Sequence, residues 1–390
     1  MKLILPVFFI FSLIVNLPGQ RFDIKFLMEG HLRECIIVKP TTAPPPGGYP
    51  VVFMLHGTSG DGEKFFNISG WKELGQQENF ITVFPSSLSW CYVKDGVEEH
   101  NTRWVNGNVT DYPCSGPPQN YVDDIKFLKK LVSIIVDTLP VNSSKIFASG
   151  FSNGCSMIHK IAIDAGDVFA AVAGSSSPLA EGDSIIPPVH RIPVWFMLGT
   201  LDDRFFFNNY TEIPFGRDTV LAYMGKSLNR ALACQGLSQS FIFNETPISH
   251  TYIFNESQGG GLSASPYLFT LNKGQTHEYP NGSNYPVDAP KLFWEFFKKA
   301  TVVSTKSESE ITDQITLYPN PSSSQIHVGI KTGISSFNIK IMNCLGQTVY
   351  QEEDKSDINF TIDKSKTGSG LFLLQIQLGG KIISKKILFE

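Results

Sequence analysis

The chain has 390 residues, more than an average single domain, and 42% of them are hydrophobic, which is ample for a large packed core. Its 32 basic and 36 acidic residues nearly cancel, to a net charge of -4, and there is no basic run. This balance argues against a nucleic-acid partner and against electrostatic attraction to an anionic membrane.

The N-terminus has the pattern of a secretory signal peptide. Lys2 supplies a positive charge, an apolar run covers residues 3–15, and turn-forming residues follow up to residue 20. The run is shorter than the ~20 residues that span a bilayer, and Pro6 interrupts it. We therefore expect residues 1–20 to direct export and to be removed, so that the mature chain is secreted or on the cell surface and has no membrane span.

Six cysteines in an exported chain permit disulfides. Cys91 and Cys114 bracket a stretch without obvious secondary structure, and they are the pair that we favour. Such a bridge would stabilise the fold by about 3 kcal/mol on the chain-entropy estimate. No Cys/His cluster indicates a metal site, and no cofactor is expected. The remaining cysteines are either buried thiols or paired in ways that the sequence leaves open: Cys35, Cys155, Cys234 and Cys344.

Apolar runs alternate with helical patterns from residue 20 to residue 300. The continuous apolar runs are typical of strands that are buried on both faces, so the alternation predicts an α/β fold with a mostly parallel, doubly wound sheet. The chemistry of such folds lies at the carboxyl edge of the sheet. Strands are predicted at 20–38 (a hairpin), 49–55, 80–85, 145–149, 169–174, 192–199 and 266–271, and helices at 71–79, 121–139, 155–162, 218–233 and 290–299, the last capped by Asp288.

A long polar and aromatic insertion covers residues 86–120. Loops of this length inside compact domains are usually functional. We expect its residues Trp90, Trp104 and Tyr112 to line a substrate groove. The alternative, given at least equal weight, is that these aromatic side chains pack the insertion against itself.

The pentapeptide Gly150-Phe151-Ser152-Asn153-Gly154 stands between a predicted strand and a predicted helix. A serine hydroxyl becomes a useful nucleophile when a sharp strand-to-helix turn exposes it and a base takes its proton. Glycines two residues to either side leave room for that strained backbone. The pattern therefore predicts that Ser152 is a catalytic nucleophile.

A base and an orienting carboxylate follow in the order that this kind of site requires, Ser, then Asp, then His. Asp202 comes after the predicted strand that ends at Gly199, and His277 comes after the strand that ends at Leu271. We assign His277 as the general acid/base and Asp202 as the orienting carboxylate. Asp203 is the alternative carboxylate. His250 lies just before its own strand and His190 follows two prolines, so neither competes well.

The oxyanion of a tetrahedral intermediate needs hydrogen-bond donors that are fixed in advance. The backbone N–H of Asn153, directly after the nucleophile, is one candidate. The other is the backbone N–H of Thr58, in the loop after the first buried strand. His56, in the same loop, is expected to shape the site and to contact substrate, although its chemistry also permits a role as a base.

The composition changes at residue 301. Residues 301–314 are rich in Ser, Thr, Lys and Glu and read as a linker. Beyond them, short alternating segments separated by turn residues predict a small β-sandwich over residues 315–390. The preceding catalytic domain then covers residues 21–300.

Several segments of the first domain resemble, as a set, the secreted polyhydroxybutyrate depolymerase/feruloyl esterase group of α/β-hydrolases. The resemblance covers roughly residues 30–299 and implies action on exposed esters: feruloyl or acetyl groups of polysaccharide, or polyhydroxyalkanoates. Cys155 stands where the group usually has glycine, and Tyr279 where it often has Trp. The resemblance implies that both lie at the pocket rim, and we expect Tyr279 to contact substrate. The segments are residues 55–57, 121–127, 150–157, 167–174, 199–202 and 277–280.

The tail resembles the C-terminal sorting domain of the type IX secretion pathway of Bacteroidota. The resemblance is carried by residues 317–321, 341–347 and 370–376, and it implies that the secretion machinery is a partner of residues 315–390. A carbohydrate-binding or adhesive β-sandwich is the alternative, but the tail has no Trp to form an aromatic platform.

Together these features predict a secreted serine esterase acting on an ester-bearing polysaccharide or polyester. Two alternatives remain. One is a serine peptidase of related fold, because the same triad cleaves amides. The other is a catalytically silent glycan-binding protein displayed on the cell surface.

Overall fold

A computed structural model describes residues 19–94, 96–107, 113–116, 119–183, 185–207, 209–300, 315–330, 336–343, 347–378 and 381–389. The chain divides into two compact units, residues 1–302 and 303–390. Most of the expected signal peptide, the expected linker and Tyr112 lie outside the described residues.

The first unit is built on a ten-stranded sheet with the order β1-β2-β4-β3-β7-β8-β9-β12-β11-β10. The strands from β4 to β12 in that order are parallel, and those at both edges are antiparallel. The strands are β1 (Gln20–Met28), β2 (His31–Lys39), β3 (Tyr49–Leu55), β4 (Ile81–Pro85), β5 (Ser89–Lys94), β6 (Val97–Thr102), β7 (Val141–Phe151), β8 (Ala171–Ser175), β9 (Val194–Gly199), β10 (Ile242–Glu245), β11 (Ser249–Glu256) and β12 (Leu262–Asn272).

The helices of this unit are α1 (Gly62–Ile68), α2 (Trp71–Glu78), α3 (Asp124–Thr138), α4 (Asn153–Asp164), α5 (Arg217–Gln235) and α6 (Ala289–Lys299). Acidic side chains fix several N-termini by accepting hydrogen bonds from backbone N–H groups in the first turn. Asp61 caps α1 and Asp123 caps α3. The predicted N-cap Asp288 is confirmed, since its side chain accepts from the N–H of Lys291.

Apolar layers cover both faces of the sheet. Side chains alternate along β3, so that Val51, Phe53 and Leu55 enter one core and Val52 and Met54 enter the other. All five are fully buried. This two-sided burial is the physical reason for the continuous apolar runs, and the predicted α/β-hydrolase architecture is confirmed.

Several elements of this unit were not predicted from the sequence. Helix α1 lies in a stretch without a strong apolar period, and β10 adds an antiparallel strand beyond β11, the strand expected next to His250. The stretch between Cys91 and Cys114 is not devoid of secondary structure, because it contains the antiparallel hairpin β5–β6. Short strands with polar side chains leave little periodic signal.

The second unit is a small antiparallel β domain, as predicted. Its two sheets have the orders β13-β14-β17 and β16-β15-β18-β19. Ile326 and Val328 from one sheet and Ile341 and Leu374 from the other belong to one buried core. The strands are β13 (Ile315–Tyr318), β14 (Gln325–Ile330), β15 (Phe337–Asn343), β16 (Thr348–Lys355), β17 (Asn359–Asp363), β18 (Gly370–Leu378) and β19 (Lys381–Phe389).

In the part of the chain that the structure describes, none of the helices combines the length and apolar character that a membrane crossing requires.

Candidate active site

Ser152 occupies a strained turn between β7 and α4. Its backbone has φ 51° and ψ -122°, a conformation that a non-glycine residue rarely adopts. A Cβ atom on Gly154 would overlap the carbonyl oxygens of Leu55 and His56, and a Cβ on Gly150 would overlap that of Gly154. Both glycines are therefore required by the close approach of the backbone, which allows the turn to present the Ser152 hydroxyl at the carboxyl edge of the sheet.

The structure brings Ser152, His277 and Asp202 into one chain of hydrogen bonds. His277 Nε2 lies 2.9 Å from Ser152 Oγ, and its Nδ1 lies 2.8 and 3.0 Å from the two carboxylate oxygens of Asp202. The Asp202 side chain is fully buried, whereas that of Asp203 is 71% exposed and pairs loosely with Arg204. Asp202 is thus the carboxylate that meets the imidazole, and Asp203 is in solvent.

The loops that carry Asp202 and His277 are tied to each other. The parallel pairing of β9 and β12 brings their ends together, and the N–H of Leu201 donates to the Gln275 carbonyl oxygen at 3.0 Å. Thr200 Oγ1 accepts a 2.8 Å hydrogen bond from the N–H of Gly274. The buried Gln275 side chain also accepts from Asn272 Nδ2 at 2.8 Å. Sequence reasoning missed Gln275 and Asn272; polar side chains just before the loop histidine were the available signal.

Asn153 and Thr58, the predicted oxyanion residues, lie at the start of α4 and in the loop after β3. Thr58 lines the cleft that contains Ser152 and His277. Among the described residues, neither backbone N–H has a hydrogen-bond partner. The first N–H groups of a helix have no partner within the helix, so the Asn153 N–H is available at the nucleophile.

His56 and Trp104, which were expected to contact substrate, are fully buried and support the loops from behind. Ser87 N–H donates to His56 Nε2 at 3.0 Å, so His56 Nδ1 carries the proton and donates to the Gly57 carbonyl oxygen at 2.7 Å. Burial lowers the pKa of His56 to about 4. The ring is neutral and fully engaged, which excludes it as a base. Trp104 Nε1 donates to the His56 carbonyl oxygen at 2.9 Å.

Trp90 and Tyr279 are also buried, so the predicted groove contacts are wrong for them as well. Trp90 packs against Tyr121, with ring centroids 5.2 Å apart. The hydroxyl of Tyr279 accepts a 2.9 Å hydrogen bond from Trp71 Nε1, and burial raises its pKa. Cys155 is fully buried too, not at the pocket rim. Trp90 and Trp104 therefore pack instead of lining a groove, although their partners include Tyr121 and His56, which lie outside the insertion.

A cleft of about 750 Å³ opens at Ser152 and His277. One wall comes from the β5–β6 hairpin and the residue after it, and includes a cation and an anion. Another wall comes from the turn after Asp202. These wall residues were not singled out from the sequence; they are Tyr92, Val93, Gly96, Glu99 and Arg103 on the hairpin side, and Arg204 and Phe205 on the other.

The hairpin is held by a disulfide and by one glutamine. Cys91 of β5 is joined to Cys114, the pair favoured from the sequence, with Cα atoms 5.9 Å apart. The Gln119 side chain accepts from the Cys91 N–H at 2.8 Å and donates to the Cys91 carbonyl oxygen at 2.6 Å. Glu98 lies near both sulfur atoms, but disulfide sulfurs are not thiolate ligands and Glu98 accepts from Ser115.

Comparison with known proteins finds a family match for the tail and curated relatives that are named esterases. Residues 316–390 match the family described as "Secretion system C-terminal sorting domain". A putative esterase, NocK, of Nocardia uniformis subsp. tsuyamanensis is 25% identical over 169 residues, 43% of this chain and 44% of that protein. Feruloyl esterase B of Piromyces equi is 25% identical over 193 residues, 47% of this chain and 33% of that protein. The chain thus spans less than half the length of these curated relatives.

Solved structures with similar folds include an acetyl xylan esterase from Aspergillus awamori, with a TM-score of 0.48 and 15% sequence identity. The match covers 72% of this chain and 100% of that chain. The feruloyl esterase module of Clostridium thermocellum has a TM-score of 0.43 and 10% sequence identity. The match covers 74% of this chain and 89% of that chain. The match of the tail confirms the predicted sorting domain and, with it, the secreted or cell-surface location.

Proposed function

Because the chain is an esterase-like α/β-hydrolase followed by a secretion-system sorting domain, we propose that it is a secreted serine esterase. The observation that carries this proposal is the hydrogen-bond chain from Ser152 Oγ through both nitrogens of His277 to the buried Asp202. It ends in an open cleft, where an ester carbonyl carbon can reach the hydroxyl.

In the first half of the reaction, Ser152 Oγ attacks the ester carbonyl carbon while His277 Nε2 takes the hydroxyl proton. The buried Asp202 carboxylate stabilises the imidazolium that forms. The backbone N–H groups of Asn153 and Thr58 donate to the oxyanion of the tetrahedral intermediate, and donors of this kind are worth roughly 3 kcal/mol each. The alcohol then leaves with the proton from His277.

In the second half, a water molecule attacks the acyl-enzyme. His277 takes a proton from that water and returns it to Ser152 Oγ when the carboxylic acid is released. His277 therefore acts once as base and once as acid in each half. These steps require no cofactor or metal.

The proposed substrates are feruloyl or acetyl esters of plant or algal polysaccharide. The support is the sequence similarity to a protein named feruloyl esterase. Polyhydroxyalkanoate, which the resemblance of the first domain also implies, is the second ester class to be tested. Export through the type IX machinery, acting on residues 315–390, completes the proposal.

The test compares the full chain with its Ser152→Ala variant on methyl ferulate, para-nitrophenyl acetate, a polyhydroxybutyrate suspension and a peptide amide. Ser133→Ala, which changes an exposed serine on α3, is the control. We expect ester hydrolysis and fluorophosphonate labelling that are lost only in Ser152→Ala. A folded protein that is neither labelled nor active would support the silent binder, and equal efficiency on peptide amides would support a peptidase.

A further inference from the structure

Arg103 is a cation in the active-site cleft, and its guanidinium forms no ion pair with any carboxylate that the structure describes. It follows β6 directly and lines the same cleft as Ser152 and His277. Its guanidinium carbon lies 4.1 Å from the centroid of the Tyr92 ring. Across the described part of the chain, its guanidinium makes no hydrogen bond and no ion pair, and Nε is shielded from solvent. Partly buried guanidinium groups normally meet an acceptor.

The acidic side chain among the described residues of the cleft is already engaged. Glu99 accepts hydrogen bonds from Tyr92 Oη at 2.8 Å and from Asn101 Nδ2 at 3.0 Å. It forms no ion pair with Arg103 within 4.0 Å. Burial lowers the pKa of Arg103, because the guanidinium is incompletely solvated, and the nearby charge of Glu99 offsets only part of this shift. The donors of Arg103 are thus positioned and only partly hydrated before any ligand arrives.

The opposite wall adds to the positive potential. Arg204 lines the cleft from the turn after Asp202, and its contact with Asp203 is long, 3.6 Å, and exposed. Exposed pairs of this kind contribute little. Among the residues that the structure describes, the charged side chains of the cleft walls are therefore two arginines and one glutamate, and the glutamate is bonded to its own hairpin.

We propose that Arg103 is a specificity-determining residue that binds a carboxylate of the substrate, on either the acyl group or the sugar that bears the ester. This inference rests on the proposed esterase function of Ser152. A guanidinium presents paired N–H groups in a plane that matches a carboxylate, and such charge-assisted bonds are stronger and more directional than bonds to a neutral hydroxyl. The competing explanation is that Arg103 only packs on Tyr92.

The experiment uses two matched pairs of esters on the full chain. The acyl pair is para-nitrophenyl hydrogen adipate and para-nitrophenyl hexanoate, and the sugar pair is the acetyl ester of methyl galacturonoside and that of methyl galactoside. We expect one carboxylate ester to be preferred in kcat/KM. In the Arg103→Met variant, kcat/KM for that ester should fall by at least about tenfold more than kcat/KM for its neutral match. The pair that responds identifies where the carboxylate lies.

Two further variants separate binding from packing. Arg103→Lys keeps the charge but not the planar fork, so it should keep part of the preference. Arg217 also stacks on aromatic rings, with its guanidinium carbon 5.4 and 5.0 Å from the centroids of Phe241 and Phe243, but it is not part of the cleft lining. Arg217→Met should keep the wild-type ratio. A ratio that is unchanged in Arg103→Met for both pairs overturns the proposal.

Calorimetry with the Ser152→Ala variant distinguishes failure of this subsite from failure of the esterase function. Adipamate, the monoamide of adipic acid, and galacturonate should bind more tightly than the uncharged hexanamide and galactose, with at least one of the two preferences lost on adding Arg103→Met. If the wild type hydrolyses no ester but this preference is present, the esterase function fails and the subsite stands. If esters are hydrolysed through Ser152 without any such preference, the subsite fails and the esterase function stands.

Discussion

The indole nitrogen of Trp104 donates a 2.9 Å hydrogen bond to the carbonyl oxygen of His56, 48 residues earlier in the chain. The backbone N–H of Trp104 donates to the side chain of Asn153 at 2.6 Å, and its carbonyl oxygen accepts from the same amide at 3.3 Å. One fully buried residue therefore contacts both loops that carry the proposed oxyanion donors. The positions of those donors depend on a side chain that never meets substrate.

Trp104→Phe should lower kcat on para-nitrophenyl acetate by about tenfold. The ring remains, but the His56 carbonyl oxygen loses its donor in a dry environment, which costs about 1–3 kcal/mol. Trp90→Phe is the control, because Trp90 Nε1 is buried without a hydrogen-bond partner in the described structure. Steady-state kinetics and thermal unfolding of both variants test this. Equal effects of the two substitutions would contradict the role given to the hydrogen bond.

Gly154→Ala should abolish activity and destabilise the first unit by about 3 kcal/mol or more, since its methyl group would overlap two carbonyl oxygens that cannot move aside. Gly225→Ala in α5 has open space around the new methyl group. It should stabilise by about 0.5–1 kcal/mol, because alanine favours a helix over glycine. Denaturant unfolding of both variants measures the contrast, and a well-folded, active Gly154→Ala protein would be evidence against the steric argument.

Arg33 of β2 and Asp124 of α3 form a buried ion pair at 2.6 Å, with side-chain exposures of 2% and 0%. Asp124 also accepts a 2.8 Å hydrogen bond from the N–H of Val105. Arg33→Met should cost about 3–5 kcal/mol because it leaves a buried carboxylate without its cation. The double variant Arg33→Met/Asp124→Leu should recover part of that loss. Chemical denaturation of the two single variants and of the double variant gives the coupling free energy of the ion pair. If the changes in unfolding free energy are strictly additive, the pair does not act as a unit.

Stability should fall as the pH drops from about 6.5 to about 4. Burial lowers the pKa of His56 and His159 to about 4 in the folded chain, against about 6.5 when unfolded. The unfolded chain therefore binds protons that the folded chain does not, so the stabilisation is complete above pH 6.5 and is lost below it, by up to about 3 kcal/mol per histidine. His159→Gln should show a shallower decline in urea unfolding measured across this range. An unchanged slope would refute the assignment.

Loss of the Cys91–Cys114 disulfide should raise KM more than it lowers kcat. The bridge holds the hairpin that supplies one cleft wall, whereas the triad lies on other elements. Its removal should also cost about 3 kcal/mol on the chain-entropy estimate. Kinetics with and without dithiothreitol, and with the Cys91→Ser/Cys114→Ser variant, measure both effects. Dithiothreitol should not change the KM or kcat of that variant. A further change in either would point to another redox-sensitive group.

The parallel core was predictable because its signals are local. A strand buried on both faces needs a continuous apolar run, and β3 and β9 have one. Helix α1 and strand β10 were missed because half-exposed elements carry mixed side chains, and their packing and pairing partners decide their conformation.

The sequence by itself determined which residues form the candidate site and in which order they follow one another along the chain. The glycines around Ser152 follow from backbone contact, and the loops after two neighbouring parallel strands had to bring Asp202 and His277 to the same edge. Only the tertiary structure decided which side chains face the cleft. Trp104 is buried, whereas Arg103, next to it, is part of the cleft wall. Residues distant in sequence cover Trp104 and leave Arg103 open to the cleft. Burial depends on such distant neighbours, which the local sequence does not reveal.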